Sequence, residues 1–180
     1  MPVGASGGPR GGSPHPALRI GTAVSLAALY HPLRLAEEVA LLDVLTGGRV
    51  DWGAGRGFDP TEFEAFGAPL DEAVGRFREA VEVVRAAWVN DRLTFHGKYW
   101  HFDHVEMLPK PGQLPGPPTL VAAMSLGAVS SAASKGHLIL MDPHASFSEI
   151  GQVRALRQPT GRPREAGAGD TPSVCGSNFR

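Results

Sequence analysis

The amino-acid sequence predicts an α/β fold assembled from parallel strand–helix units. Short apolar runs at 18–24, 49–55, 118–124 and 137–141 alternate with segments of helical period, which is the pattern of βα units. A composition of 42% hydrophobic and 19% charged residues can bury a core and differs from that of a disordered chain. At 180 residues the chain has the size of one domain, roughly 100–200 residues.

The elements follow in order. Residues 1–17 are rich in Gly, Pro and Ser, carry too little apolar surface to offset their ordering entropy, and are expected to be a flexible leader. LRIGTAV at 18–24 is short, apolar and partly β-branched, as a buried strand requires. In HPLRLAEEVALLDVL the period changes. Leu35, Val39 and Leu42 share a stripe, with Ala36 and Ala40 beside them and Arg34, Glu37 and Glu38 opposite, and Gly47-Gly48 stop the helix. RVDWGAG at 49–55 is a second strand that runs into glycines. Asp59-Pro60-Thr61-Glu62 combines an N-cap acid, a proline suited to the first helical position and a glutamate placed as in a capping box. Val74, Phe77, Val81, Val84 and Trp88 recur at three- and four-residue intervals, with Glu72 and Arg76 as an i,i+4 pair on the wet side.

LTFHGKYWHFDHVEML at 93–108 predicts a hairpin around His96-Gly97-Lys98, ended by Pro109-Lys110-Pro111. A third strand from Pro117, a helix from Leu126 to Lys135 and a strand at 137–141 complete the pattern. From 157 to 180 neither periodicity is present and a disordered tail is expected, which leaves 18–156 as the folded domain.

A formal charge of −1 provides no basic field of the kind that neutralises many phosphates along a nucleic acid, so no nucleic-acid partner is expected. A single cysteine, Cys175, forms no internal disulfide and no metal-thiolate cluster, in keeping with a reducing cytoplasm. The sequence contains no run of the ~18 apolar residues that a membrane span needs, and the first sixteen residues lack the apolar core of a secretion signal. A cytoplasmic protein without a membrane partner is expected.

Two segments could hold an anion. Gly53-Ala54-Gly55-Arg56-Gly57 lies where a strand ends and a helix follows, so bare amides and a guanidinium could converge on phosphate oxygens. Its G-x-G-x-G spacing matches neither the dinucleotide fingerprint nor a Walker loop. Asp71 opens a helix rather than ending a second strand, so it does not complete that fingerprint. A tight turn with an exposed arginine explains the same residues. Ser125-Leu126-Gly127-Ala128 offers a hydroxyl and the first free amides of a helix, although a serine there is more often only a cap.

Histidine supplies a rival chemistry. His96, His101, His104 and Glu106 are metal-ligand types, but strand alternation sends His101 and His104 to opposite faces and leaves only His104 with Glu106. A half-exposed hairpin with polar decoration accounts for them, and no metal is assigned. Trp88 and Trp100 are expected in the core rather than against a cofactor.

Taken together, RIGTAV-x5-YHPLRLAEEVALLDVLTGGRVDWGAGRGFDPTEFEAFG, the RF-x2-AVEVVRAAW helix, FHGKYWHFDHVEMLPKP and PPTLVAAMS resemble the bacterial luciferase-like flavin-dependent monooxygenases over about residues 18–150. The resemblance implies a (β/α)8 TIM barrel that binds reduced FMN at its strand C-termini, activates dioxygen and oxidises a small organic substrate. It implies a flavin reductase or another reduced-flavin supply as partner. Arg56 stands at the flavin-phosphate position, with Ser125, Leu126 and Gly127 as the second phosphate cradle. Ala23 and Val24 match a strand end whose non-prolyl cis peptide supports the isoalloxazine ring in several members, and Gly55 and Phe58 line the ring pocket.

The chain also departs from the family. Ala128 lacks a hydroxyl that some relatives direct at phosphate, and Val74 stands where some place an arginine. The first strands and the last βα units have no counterpart, so the expected architecture is an incomplete barrel, and no catalytic acid or base is assigned. Uncovered strand edges favour self-association into a homo-oligomer. Two further readings follow: a deazaflavin-dependent hydride-transfer oxidoreductase, and a truncated, non-catalytic part-barrel.

Overall fold

A computed structural model of the chain describes residues 18–123 and 125–141. The expected leader at 1–17, the expected tail at 157–180 and Cys175 lie outside the described residues. The chain divides into two compact units between Leu120 and Val121.

In the first unit, β1 (Ile20–Gly21) and β2 (Ser25–Leu26) both pair in parallel with β3 (Val50–Gly55). On its other side β3 meets the start of β6 (Thr119–Ala122), where the Trp52 N–H donates to Pro118 O at 2.8 Å. The single strand expected at 18–24 is therefore two short ones, interrupted at residues 22–24. Five of the six β3 residues are buried, as befits a strand covered on both faces.

Helix α1 (Pro32–Thr46) begins with Pro32 in its first turn and ends on Gly47, whose left-handed backbone (φ 70°) returns its N–H to the last turn. Its buried side carries Leu35, Ala36, Val39, Ala40 and Asp43, while Leu42 is half-buried. Helix α3 (Ala73–Val89) packs against it, and small alanines on both helices permit close approach. Trp52 of β3 and Trp88 of α3 meet edge to face, with ring centroids 5.3 Å apart. The Trp88 indole N–H donates to Ala36 O at 3.1 Å.

Val74, expected on the buried stripe of α3, is instead 40% exposed. The helix starts at Ala73 after a 3-10 turn at Leu70–Glu72, and Ala73 packs with Ala28 and Phe63. Counting from Ala73 places Phe77, Val81, Val84 and Trp88 inward and leaves Val74 one position off the stripe. The expected Glu72–Arg76 pair forms at 2.9 Å.

The hairpin of β4 (Leu93–His96) and β5 (His101–Val105) is antiparallel. Its turn is fixed to α3 by Glu79, whose carboxylate accepts the backbone N–H groups of Lys98 (2.7 Å), Tyr99 (2.9 Å) and Trp100 (3.3 Å). In the second unit, α4 (Leu126–Ser134) is followed by β7 (Leu138–Leu140), which lies beside the end of β6, and Ala123 N–H donates to Leu140 O at 3.2 Å. Ala123 and Val129 form its small core with Ile139 and Met141. Among the described residues, no helix is long and apolar enough to cross a membrane.

Candidate functional site

The C-terminal end of β3 gathers five of the residues singled out in the sequence. Val50, Trp52 and Ala54 lie in the core with α1 and α3, which turns Gly53 and Gly55 to the opposite face. Residues 22–24 cross that face closely: a Cβ at Gly53 would run into the Thr22 carbonyl, and one at Gly55 into the Val24 side chain. Glycine at both positions is thus a packing requirement of the crossing segment. The Ala23–Val24 peptide is cis, Ala23 is exposed and Val24 is half-buried.

Immediately past the strand, Arg56 is exposed and its Nε donates to Gly57 O at 3.1 Å. Gly57 has φ 82°, a backbone that L side chains rarely adopt, and it turns the chain over the buried ring of Phe63. Phe58 is 72% exposed beside it. Helix α2 (Pro60–Ala65) then starts with the Asp59 carboxylate accepting Thr61 N–H at 2.9 Å, the expected cap. A closely packed floor therefore ends in an exposed guanidinium and an exposed aromatic ring.

The second unit has its own candidate. Ser125 caps α4, with Oγ accepting Ala128 N–H at 3.3 Å and its carbonyl accepting Val129 N–H at 2.9 Å. The hydroxyl proton and the first-turn amides of Leu126 and Gly127 remain as donors by helix geometry, and both residues are exposed. A Cβ at Gly127 would meet nothing within 4 Å, so this helix start is open.

The histidines of the hairpin are placed elsewhere. His96 and His101 are cross-strand partners with stacked rings 6.1 Å apart, and His96 Nε2 lies 2.7 Å from Asp103 Oδ1. A register shift between Leu93 and Phe95 and a left-handed His104 (φ 51°) mark a bulge. Phe102 and Val105 are half-buried, and His101, Asp103 and His104 are all exposed. Among the described residues, no group of three or more His, Cys, Asp or Glu side chains is arranged to hold a metal ion.

Sequence reasoning passed over Thr22. Its Oγ1 accepts Gly53 N–H at 3.0 Å and donates to Gly53 O at 2.9 Å. A lone hydroxyl inside an apolar strand run, opposite a glycine, was the available signal.

Residues 16–174 match the family model described as luciferase-like monooxygenase. The chain belongs to this family. Among its relatives, the oxygenase component of the flavin-dependent trigonelline monooxygenase of Acinetobacter baylyi is 32% identical over 136 residues, which are 74% of this chain and 38% of that protein. The FMNH2-dependent dimethylsulfone monooxygenase of Pseudomonas putida is 35% identical over 98 residues, covering 53% of this chain and 27% of that one. The crystal structure of the monooxygenase RslO1 from Streptomyces bottropensis superposes with a TM-score of 0.73 at 37% identity, over 78% of this chain and 43% of RslO1. This luciferase-like chain spans less than half the length of the relatives it matches.

Proposed function

We propose that the chain is a flavin-dependent oxidoreductase of the luciferase-like monooxygenase type, built on part of a (β/α)8 barrel and using reduced FMN and dioxygen on a small organic substrate. The observation that carries this reading is the end of β3, where an exposed Arg56 guanidinium follows directly on the closely packed Gly53–Gly55 floor. Family membership and the flavin-dependent relatives support it.

The residues present fit a flavin phosphate. In the first unit the Arg56 guanidinium can donate to two oxygens of a dianion at once; in the second, considered by itself, Ser125 Oγ and the amides of Leu126 and Gly127 are donors of the kind an anion takes. Ala23, Val24, Gly55 and Phe58 supply the flat and aromatic surface for the ring. Bound reduced flavin would contribute the reactivity toward dioxygen. The protein's own groups hold and orient it and keep its surroundings dry. A reduced-flavin supply is the implied partner.

Anaerobic titration of reduced FMN into the 180-residue chain tests the reading, with saturable binding as the expected result. Absence of binding would overturn it, and preference for a deazaflavin coenzyme would redirect it to hydride transfer. Replacing Arg56 by alanine should weaken FMN binding by roughly 1.5–3 kcal/mol, the range for a hydrogen bond to a charged group. Unchanged affinity would remove Arg56 from the site.

A further inference from the structure

The parallel pairing along β3 changes register once. Ile20 and Gly21 stand opposite Val50 and Asp51, whereas Ser25 and Leu26 stand opposite Ala54 and Gly55. Three residues, 22–24, therefore face two, Trp52 and Gly53, so the β1–β2 strand carries one extra residue. On either side of this bulge the ladder is ordinary: Thr22 N–H donates to Asp51 O at 3.2 Å and Ala27 N–H to Gly55 O at 2.9 Å.

Between them lies Gly53, whose N–H is taken by a side chain. The Thr22 hydroxyl accepts the Gly53 N–H and donates its proton to the Gly53 carbonyl, while Ser25 Oγ donates to Thr22 Oγ1 at 3.5 Å. Only a hydroxyl, with one proton and two lone pairs, can serve a neighbouring N–H and C=O from a single atom. Because the Gly53 N–H is satisfied in this way, no backbone carbonyl of residues 22–24 is needed as its acceptor, and Ala23–Val24 can cross closely over Gly53 and Gly55.

We propose that Thr22 is a positioning residue for the flavin ring: its hydroxyl takes the Gly53 N–H in place of a backbone carbonyl and so fixes the Ala23–Val24 segment across Gly53 and Gly55 as the shelf on which the ring rests. This inference builds on the flavin reading above. It separates two parts of the site, since Thr22 acts on the ring and Arg56 on the phosphate.

The test uses equilibrium binding of FMN and of riboflavin, which has the same ring without the phosphate, to the full chain. Thr22→Val keeps the side-chain shape and removes the hydroxyl, and should weaken both ligands by the same factor, about tenfold for the loss of the hydrogen bond. It should also change the visible absorption band of bound FMN. Thr22→Ser should restore affinity and spectrum, whereas Arg56→Ala should weaken FMN and spare riboflavin. If valine prevents folding, Thr22→Ala is measured in its place with the same expectation.

Amide hydrogen exchange at Gly53 gives a readout independent of flavin, and should accelerate in Thr22→Val and remain slow in Thr22→Ser. Wild-type affinity and spectrum in a folded Thr22→Val protein would overturn the inference while leaving the flavin reading intact. A wild-type chain that binds neither ligand would instead overturn the flavin reading, and the exchange data would still report on the Gly53 N–H.

Discussion

The two ends of β3 use polar groups in opposite ways. At the N-terminal end the groups bind one another. The buried Asp43 carboxylate accepts Val50 N–H (3.3 Å), Gln113 N–H (2.9 Å) and the Gln113 side-chain amide (2.8 Å). The same Gln113 amide reaches Val50 O, and its Oε1 accepts from Arg19, which forms a two-pronged pair with Asp51. At the C-terminal end Gly53 and Gly55 bring no side chains, Arg56 and Phe58 project outward, and the Gly53 N–H is taken by a threonine hydroxyl. A closed network favours stability, and open donors favour a ligand. In TIM barrels generally the catalytic groups lie at the C-terminal ends of the strands, and the proposed part-barrel would place the open end of β3 on that side.

The comparison is broken most directly at Asp43. Asp43→Ala would leave three donors without their acceptor, and is expected to destabilise the chain by roughly 2–4 kcal/mol, since each unsatisfied buried group is costly. Denaturant unfolding measures that loss. The folded fraction should bind FMN as the wild type does, because no residue of this network lies among the cofactor candidates. A loss of FMN affinity there would show that the two ends are coupled rather than separate.

Gly55→Ala tests the other end with a smaller effect. The added methyl meets the Val24 side chain, with the Val24 Cβ at 3.3 Å, and Val24 is short and branched and cannot swing away. Overpacking of this kind costs about 1–3 kcal/mol. Here stability and FMN affinity should fall together, because the displaced residue belongs to the proposed ring shelf. Unfolding and binding curves on the same preparation check the pairing, and lowered stability with unchanged affinity would detach Val24 from the ring.

Much of this arrangement was legible in the sequence because it follows from local chemistry. The α1 stop at Gly47, the Asp59 cap, the Glu72–Arg76 pair and the Ser125 cap each depend on residues within a few positions of one another. Long-range choices were not legible. Asp43 sits in a run of leucines and valines, and its burial is set by Gln113, seventy positions away. Thr22 looks like one more β-branched strand residue until Gly53 lies opposite it. The hairpin bulge at His104 likewise depends on the partner strand, through the Thr94 hydroxyl that accepts its N–H at 3.2 Å. Periodicity finds faces, and it fails where one extra residue resets the count.

Arg56→Ala should have the smallest effect on folding, within about 0.5 kcal/mol, because exposed side chains away from caps and networks rarely contribute more. The Nε bond to Gly57 O spans adjacent residues and fixes no distant segment. Thermal unfolding of the variant beside Asp43→Ala measures the contrast. The signatures should be reversed: stability lost with affinity kept at one end, affinity lost with stability kept at the other. An Arg56 variant as unstable as the Asp43 one would mean that this guanidinium is a structural member of the strand end, and the distinction between a closed and an open end of β3 would no longer hold.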